Sequence, residues 1–192
     1  MANQVVTLDL KKAKLTETWK VPRSRKTNDE LRGKRHLTPA EIRTVCKTLR
    51  QRSRHKDRDE CMVLVAFHHG LRVSELTNIK WQHIDLKAGQ IAIKRLKNGI
   101  DTVHPISDAR ELMLLKRLHQ AQDKPKTGFV FRNERGGAVS TNGFQKLFAA
   151  ASEHALGVKW NAHALRHACG TALVDKGLDL RTIQVYMGHR SI

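Results

Sequence analysis

Aromatic residues and cysteines are scarce in this sequence of 192 residues. Phe, Trp and Tyr together make up 5% of it, and Tyr186 is the single tyrosine. Modules that stack bases on aromatic side chains, such as the RRM, need a richer supply, so the composition argues against them. The three cysteines are widely spaced, without a C-x-x-C pair, and predict free buried thiols in a reducing compartment.

Long apolar runs are also missing. No stretch reaches the ~20 apolar residues that a membrane-spanning helix requires. The N-terminus has no apolar core of the kind found in secretory signals. We therefore expect a cytoplasmic protein without a membrane partner.

Acidic residues are outnumbered, since 18 Asp and Glu stand against 36 Lys and Arg, for a formal net charge of +18. This surplus predicts a polyanionic partner, because each Lys or Arg laid on a phosphate releases counterions. Nucleic acid is the first candidate, and an anionic membrane surface is a weaker second. The length suffices for one domain with a sizeable core, with or without a tail.

Residues 1–36 are predicted to form a basic N-terminal arm, and residues 37–192 the folded domain. The arm has little apolar periodicity, which is typical of a solvated, flexible segment. The same arm is suited to following DNA phosphates, and the two interpretations are compatible. Its basic residues are Lys11, Lys12, Lys14, Lys20, Arg23, Arg25, Lys26, Arg32, Lys34 and Arg35.

The folded domain is predicted to be mainly helical. Thr38-Pro39-Ala40-Glu41 has the spacing of a capping box, with proline at the first helical position, and begins an amphipathic helix. Continuous apolar sequence over about 57–69 predicts a central, buried second helix that ends at Gly70. Ser74 and Ser107 are predicted to cap the next two helices. Three more are expected near 141–148, 163–176 and 179–187.

A small antiparallel sheet is predicted in the middle of the chain. Ile91 and Ile93 alternate with polar neighbours, as do Val103 and Pro105, and Asn98-Gly99 between them is a strong hairpin signal. Phe129-Val130-Phe131 predicts a third strand. The expected fold class is therefore mainly α with a three-stranded antiparallel sheet (α+β).

Four short motifs contain residues suited to chemistry on phosphate. In Gly70-Leu71-Arg72-Val73-Ser74-Glu75-Leu76, Arg72 lies at a helix junction from which its guanidinium can reach a phosphate. Lys97 lies at the hairpin tip, and His189 follows Gly188 in the turn after the last helix. Taken singly, each is equally well an ordinary surface residue of a basic protein.

The fourth motif is His163-Ala164-Leu165-Arg166-His167, whose histidines and arginine share one helical face. Besides a solvated polar face, two interpretations are open. The spacing H-x-x-x-H occurs in zinc-binding helices, but the usual glutamate after the first histidine is replaced by Ala164. The alternative is a phosphate site with Arg166 as the clamp and a histidine as hydrogen-bond donor.

Together, and in this order, the motifs resemble those of the tyrosine recombinase (phage integrase) family. The matching elements are G-L-R-x-S-E-L, a lysine on a β-hairpin, H-x-L-R-H, and Met187-Gly188-His189 in place of L-G-H. The resemblance covers about residues 37–192. It is strongest to the small fimbrial phase-switch recombinases, and it implies a bacterial or phage origin and the tyrosine recombinase catalytic-domain fold.

The resemblance implies a site-specific recombinase that acts on double-stranded DNA and assembles on it as a tetramer. Arg72 and Arg166 would bracket the scissile phosphate and stabilise the pentavalent transition state. His163 and His189 would hydrogen-bond its oxygens or move protons, and Lys97 would be the general acid for the leaving 5′ oxygen. The supporting residues implied are Glu75 and His167 behind the site and Lys94 and Arg95 on DNA.

No metal or nucleotide is implied as a cofactor, because the energy of the phosphodiester is kept in a phosphotyrosine. In the family the nucleophilic tyrosine follows the last motif histidine by about nine positions. From His189 that position lies past Ile192, so we expect this chain to lack the nucleophile and to be inactive in cleavage. Tyr186 precedes His189 within a helix and is predicted to serve packing.

Three rival functions remain open at this point. A non-catalytic DNA-binding protein that occupies recombination sites would need no nucleophile. An RNA-binding or ribosome-associated protein would explain the charge but not the ordered motifs. Type IB topoisomerases share much of the site, but the hairpin and the H-x-L-R-H context resemble recombinases more.

Overall fold

The computed structural model describes residues 36–95 and 101–188. The predicted arm up to Arg35, the hairpin tip with Lys97 and Asn98-Gly99, and His189 lie outside these residues. Across the described ranges no helix is long and apolar enough to cross a membrane. The helices are α1 (Pro39–Arg52), α2 (Lys56–His68), α3 (Val73–Thr77), α4 (Ala109–Ala121), α5 (Thr141–Leu156), α6 (His163–Asp175) and α7 (Leu180–Met187).

The helix caps follow local chemistry. The predicted capping box at α1 is present, with Thr38 and Glu41 each accepting from the backbone N–H of the other. Two predicted caps are wrong by a few residues. α3 begins after Arg72, whose N–H donates to the Glu75 carboxylate, and not after Ser74. α4 is capped by Asp108 instead of Ser107.

Helix α2 is the centre of the domain, as its unbroken apolar sequence predicted. Every residue from Asp59 to Phe67 is buried, and the helix packs against α1, α4 and α6. Two acidic groups are buried with it, and Glu60 is neutralised by a bidentate pair with Arg110 at 2.6 and 3.0 Å. This packing fixes the end of α2, from which the Gly70 turn leads to Arg72.

The sheet has three antiparallel strands in the order β1 (Ile84–Asp85), β2 (Gln90–Ile93) and β3 (Thr102–Pro105). The predicted pairing of the last two is confirmed, with Ile91 opposite His104. The predicted third strand at 129–131 is wrong, because Phe129 forms only an isolated bridge with Lys80.

In β3 the polar residue faces the core, although the alternation of apolar residues alone would favour the opposite orientation. His104 is 1% exposed and faces the core, whereas Val103 is 64% exposed. The cause is a set of polar partners inside the domain. His104 contacts His69 at 3.2 Å and Thr102 at 2.8 Å, and these contacts satisfy an imidazole that would otherwise be costly to bury.

Candidate active site

Arg72 stands at the turn between α2 and α3. Gly70 adopts a φ of +59° there, and a Cβ at this position would lie 2.5 Å from the sulfur of Met187. Glycine is therefore required both for the backbone conformation and for the close packing. Arg72 donates from Nη1 to Oε1 of Glu75 at 2.7 Å, and its side chain remains 36% exposed.

Glu75 is buried behind Arg72 and receives a second arginine. Its Oε2 accepts from Nη1 of Arg95 at 3.0 Å and from the Arg72 backbone N–H at 3.0 Å. Burial opposes ionisation of Glu75, but these hydrogen bonds and the charge of Arg95 outweigh it and lower the pKa of Glu75. The carboxylate therefore stays charged and holds the Arg72 side chain, and its supporting role at a phosphate site stays a prediction.

Arg166 extends from α6 beneath the same surface and is 4% exposed. It donates from Nη1 to the carbonyl of Gly70 and from Nη2 to the carbonyl of Met187 at 2.7 Å. Burial and the charges of Arg72 and Arg95 lower the pKa of Arg166 to about 10. It is therefore a fixed cation at neutral pH, joined to the turns before α3 and after α7.

The two histidines of α6 lie on its exposed face. The ring centroids of His163 and His167 are 4.7 Å apart in an edge-on arrangement. Burial of part of the ring, together with the charges of neighbouring histidine and arginine side chains, lowers the pKa of His163. At neutral pH this ring is uncharged, with one N–H to donate and one nitrogen to accept.

These side chains meet in one open groove of about 600 Å³. Arg72 comes from the α2–α3 turn and the other three from α6, while α7 forms the opposite wall. Of the residues expected around the scissile phosphate, Arg72, His163 and Arg166 line this groove, and His167 lies beside them. The groove is lined by Arg72, His163, Arg166, His167, Gly170, Thr171, Leu180, Ile183, Gln184 and Met187.

A family model described as the phage integrase family matches residues 35–192 of this sequence. The chain belongs to the phage integrase family. Type 1 fimbriae regulatory protein FimE of Escherichia coli (strain K12) is 37% identical over 163 residues, which are 83% of this chain and 82% of FimE. Tyrosine recombinase XerC of Pseudomonas putida (strain W619) is 33% identical over 136 residues, 70% of this chain and 45% of XerC.

Solved structures show the same fold. XerA recombinase has a TM-score of 0.71 at 23% identity, over 81% of this chain and 56% of its own. The integrase from mycobacterium phage Brujita has a TM-score of 0.63 at 30% identity, over 84% of this chain and 51% of the integrase chain. The chain thus spans about half the length of these structures. The predicted recombinase catalytic-domain fold, mainly α with a three-stranded antiparallel sheet, is confirmed.

Two positions of the integrase-family motif set, Lys97 and His189, lie outside the described residues, and their roles stay predictions. The described chain reaches Arg95 on one side and Gly188 on the other. A Cβ built on Gly188 would lie 2.5 Å from Nε of Arg95. The described residues therefore end side by side at Arg95 and Gly188, and Arg95 contacts Glu75.

Of the two residues expected to contact DNA, Lys94 lies on the surface and Arg95 lies in the interior. The side chain of Lys94 is 63% exposed and pairs with Asp101 at 2.7 Å, so its DNA contact stays a prediction. Arg95 is buried, with a side-chain exposure of 0%. The expectation that Arg95 contacts DNA is therefore wrong for this conformation, because its guanidinium is directed inward to Glu75.

Tyr186 lies away from the groove, as its predicted packing role requires. Its hydroxyl donates to the His68 carbonyl at 2.9 Å, and its ring stacks on His104 with centroids 3.8 Å apart. Burial raises the pKa of its hydroxyl well above the ordinary value. The ring lines a separate cavity of about 310 Å³ with Val103 and Val185.

A buried polar network beneath the hairpin was not anticipated from the sequence. Glu111 of α4 pairs with Nδ1 of His68 at 2.5 Å and with Nε2 of His69 at 2.8 Å, and His69 continues to His104. The adjacent histidines before Gly70 were the available signal, since a histidine at the end of a buried helix needs a polar partner.

Within the described residues, no third ligand joins the two histidines of α6 to form a zinc site. In the described part of the chain, no group of three or more His, Cys, Asp and Glu side chains is placed to hold a metal ion. Arg72 and Arg166 line the same groove as His163 and His167. The positive charge of these two guanidinium groups favours an anion over a cation in the groove.

Proposed function

We propose that this chain is the phosphate-binding catalytic domain of a site-specific DNA recombinase, an enzyme that cleaves and rejoins strands through a phosphotyrosine intermediate. We further propose that this polypeptide, in which Tyr186 is the single tyrosine, lacks the nucleophile and does not itself cleave DNA. The observation that carries the proposal is the groove in which Arg72, Arg166 and His163 converge. The fold relatives include XerH recombinase bound to its difH substrate and a lambda integrase dimer bound to a core site. Double-stranded DNA is therefore the partner we propose, with assembly into a tetramer on it.

The two arginines stabilise negative charge at the scissile phosphate. A pentavalent phosphorus carries more charge on its non-bridging oxygens than the ground state does, and preorganised cations lower its energy. Arg166 is preorganised because two of its five N–H donors are fixed on carbonyls. Arg72 is preorganised by Glu75 and presents its remaining donors to the groove.

The neutral His163 ring donates a hydrogen bond to a phosphate oxygen, and Lys97 protonates the leaving 5′ oxygen as general acid. His189 shares the contact with the phosphate, and His167 supports His163 from the next turn of α6. In the complete reaction a tyrosine hydroxyl, which this chain does not supply at the groove, would attack the phosphorus as the bond to the 5′ oxygen breaks, and the new phosphotyrosine bond would keep the energy of the phosphodiester. The proposed reaction therefore needs neither a metal ion nor a nucleotide.

The test measures the affinity of the chain for a duplex oligonucleotide of arbitrary sequence. Binding is monitored by fluorescence anisotropy at a series of salt concentrations. Arg72→Met is expected to weaken binding roughly tenfold, because it removes a charge-assisted contact to a phosphate. Arg43→Met is the matched control, since Arg43 is exposed on α1 and does not line the groove. Equal losses in the two variants would place the phosphate contact elsewhere.

A second candidate is a non-catalytic DNA-binding protein that occupies recombination sites. The observation that favours it is the position of Tyr186, which faces a cavity other than the phosphate groove. Both candidates predict DNA binding by Arg72 and Arg166. They differ in covalent chemistry, which a protein–DNA adduct on a denaturing gel reports.

A further inference from the structure

The guanidinium of Arg95 is enclosed at the meeting point of three elements. It follows strand β2, donates to Glu75 of α3, and donates from Nη2 to the carbonyl of Tyr186 in α7 at 2.5 Å. The turn at Gly188 closes over it so tightly that no side chain fits there. Burial lowers the pKa of Arg95, and Glu75 opposes that effect. The cation is thus held in place by neighbours from several parts of the fold.

Each of the two arginine side chains donates to a different oxygen of Glu75. Oε1 accepts from the Arg72 side chain, and Oε2 accepts from Arg95 and from the Arg72 backbone. Within residues 36–95 and 101–188 the Arg72 guanidinium donates this one hydrogen bond. Since arginine has five N–H donors, four remain for an oxyanion in the groove.

Removal of Arg95 would change the pairing between Glu75 and Arg72. An arginine and a carboxylate favour a bidentate geometry in which two parallel N–H groups meet both oxygens. The bonds from Arg95 and from the Arg72 backbone N–H already use both acceptor sites of Oε2, which opposes this geometry. Without Arg95, Arg72 is free to turn onto both oxygens, which uses further donors and neutralises its charge more completely.

We propose that Arg95 is a positioning residue of the phosphate groove, which occupies Oε2 of Glu75 and thereby keeps Arg72 available for phosphate. The inference rests on the proposed function, since it concerns the same groove. It differs from a direct DNA contact, because Arg95 is enclosed and acts through Glu75. If Arg95 acts through Glu75, its effect on phosphate binding disappears when Glu75 is changed, whereas the effect of a direct contact would persist.

The experiment is a double-mutant cycle on the 192-residue chain with inorganic phosphate as the probe. Phosphate is titrated at constant ionic strength, and the Nε–Hε signal of Arg72 is followed by NMR after assignment with Arg72→Lys. Arg95→Met is expected to weaken phosphate binding roughly tenfold, the size of coupling found within one hydrogen-bond network. In the Glu75→Gln background the same substitution is expected to have less than roughly a twofold effect.

The cycle separates positioning from a general loss of charge. If Arg95 acts only by its positive field, Arg95→Met weakens binding equally in both backgrounds, and the inference is overturned. Arg95→Lys keeps the charge but lacks the planar fork, so it is expected to restore little of the phosphate affinity.

Folding and the proposed function are controlled separately. Arg95→Met removes this arginine from the buried Glu75 carboxylate and could therefore destabilise the fold. The double variant Arg95→Met/Glu75→Gln replaces that carboxylate by a neutral amide and serves as a folded reference. Arg43→Met is the matched loss of one exposed charge and is expected to change affinity little. If phosphate binding in the unchanged protein does not depend on Arg72 and Arg166, the proposed function fails. If it does and Arg95→Met has no effect, the positioning role alone fails.

Discussion

Arg166 donates from Nη2 to the backbone carbonyl of Met187 at 2.7 Å and so joins α6 to the end of α7. Its Nη1 donates to the carbonyl of Gly70 in the turn before Arg72. One buried side chain therefore sets the relative position of the two turns that border the groove. A residue proposed to bind phosphate is also part of the structural framework of its own site.

Arg166→Lys is expected to lower stability although it preserves the charge. A lysine ammonium on a single stem cannot reach both carbonyls in the planar arrangement of a guanidinium. A buried acceptor left without a partner costs about 1–3 kcal/mol, so the free energy of unfolding should fall by that amount in urea titrations. Arg43→Lys on the exposed face of α1 is the control. A loss no larger than in that control would show that the two carbonyl contacts contribute little.

The buried network under the hairpin predicts acid sensitivity. Burial, with the charges of His69 and Arg95, lowers the pKa of His104 to about 3 from an ordinary value of 6.5. As the pH falls below 6.5, the unfolded chain binds a proton on His104 that the folded protein does not. Stability from this group is therefore complete above pH 6.5 and is lost towards pH 3, by ~1.4 kcal/mol per pH unit for one proton.

Glu111 extends the loss to lower pH. Its burial opposes ionisation, but the hydrogen bonds from His68 and His69 outweigh burial and lower its pKa to about 2 from 4.5. The stability that its charge supplies is present above pH 4.5 and is lost as the pH falls towards 2.

The contribution of His104 is tested by urea titrations from pH 7 to 5, in which His104→Phe should show a shallower dependence of stability on pH than the unchanged protein. His154→Phe, at an exposed position of α5, is the control that should keep the full slope.

The sequence predicted the helical framework well because its signals are local. The capping box at Thr38 and the continuous apolar run of α2 each concern neighbours within a few residues. The order of the motifs then brought Arg72, His163, Arg166 and His167 to one groove by resemblance. Periodicity alone gave no reason to place Arg72 beside α6.

Apart from the two misplaced helix caps, the features that sequence reasoning missed depend on partners distant in sequence. Arg95 reads as one more surface cation in a basic chain, and only the approach of Glu75 and Tyr186 makes its burial favourable. The orientation of β3 depends likewise on His69, which pairs with His104 from α2. Hydropathy counts histidine as polar and valine as apolar, so the alternation alone favours the opposite face.

Removal of residues 1–35 is expected to weaken binding to duplex DNA of every sequence alike. Each phosphate neutralised by Lys or Arg adds about 0.9 to the slope of log affinity against log salt, and this segment is rich in both. The truncated chain should therefore show a flatter salt dependence in anisotropy titrations, with an unchanged ranking of DNA sequences. An altered ranking with the slope preserved would mean that the segment reads bases instead.

Tyr186 is expected to contribute stability and no covalent chemistry. Its hydroxyl is fixed on the His68 carbonyl, and its ring is held against His104. A nucleophile must instead approach the phosphorus in line with the leaving oxygen, and the phosphate groove lies along a wall of α7 formed by Leu180, Ile183 and Met187. Tyr186→Phe should thus lower the free energy of unfolding by about 1 kcal/mol, the value of one hydrogen bond, and leave DNA affinity unchanged.

The decisive measurement is incubation of the 192-residue chain with nicked suicide duplexes, followed by a denaturing gel. Since Tyr186 is the single tyrosine of this chain and cannot reach the groove without breaking its contacts, no phosphotyrosine adduct is expected. Phosphate binding in the groove should persist, because Arg72, His163 and Arg166 do not depend on the hydroxyl. An adduct that disappears in Tyr186→Phe would show that α7 unwinds on DNA and that this tyrosine is the nucleophile. An adduct that survives the substitution would come from another side chain, and the phosphotyrosine mechanism would then not apply to this polypeptide.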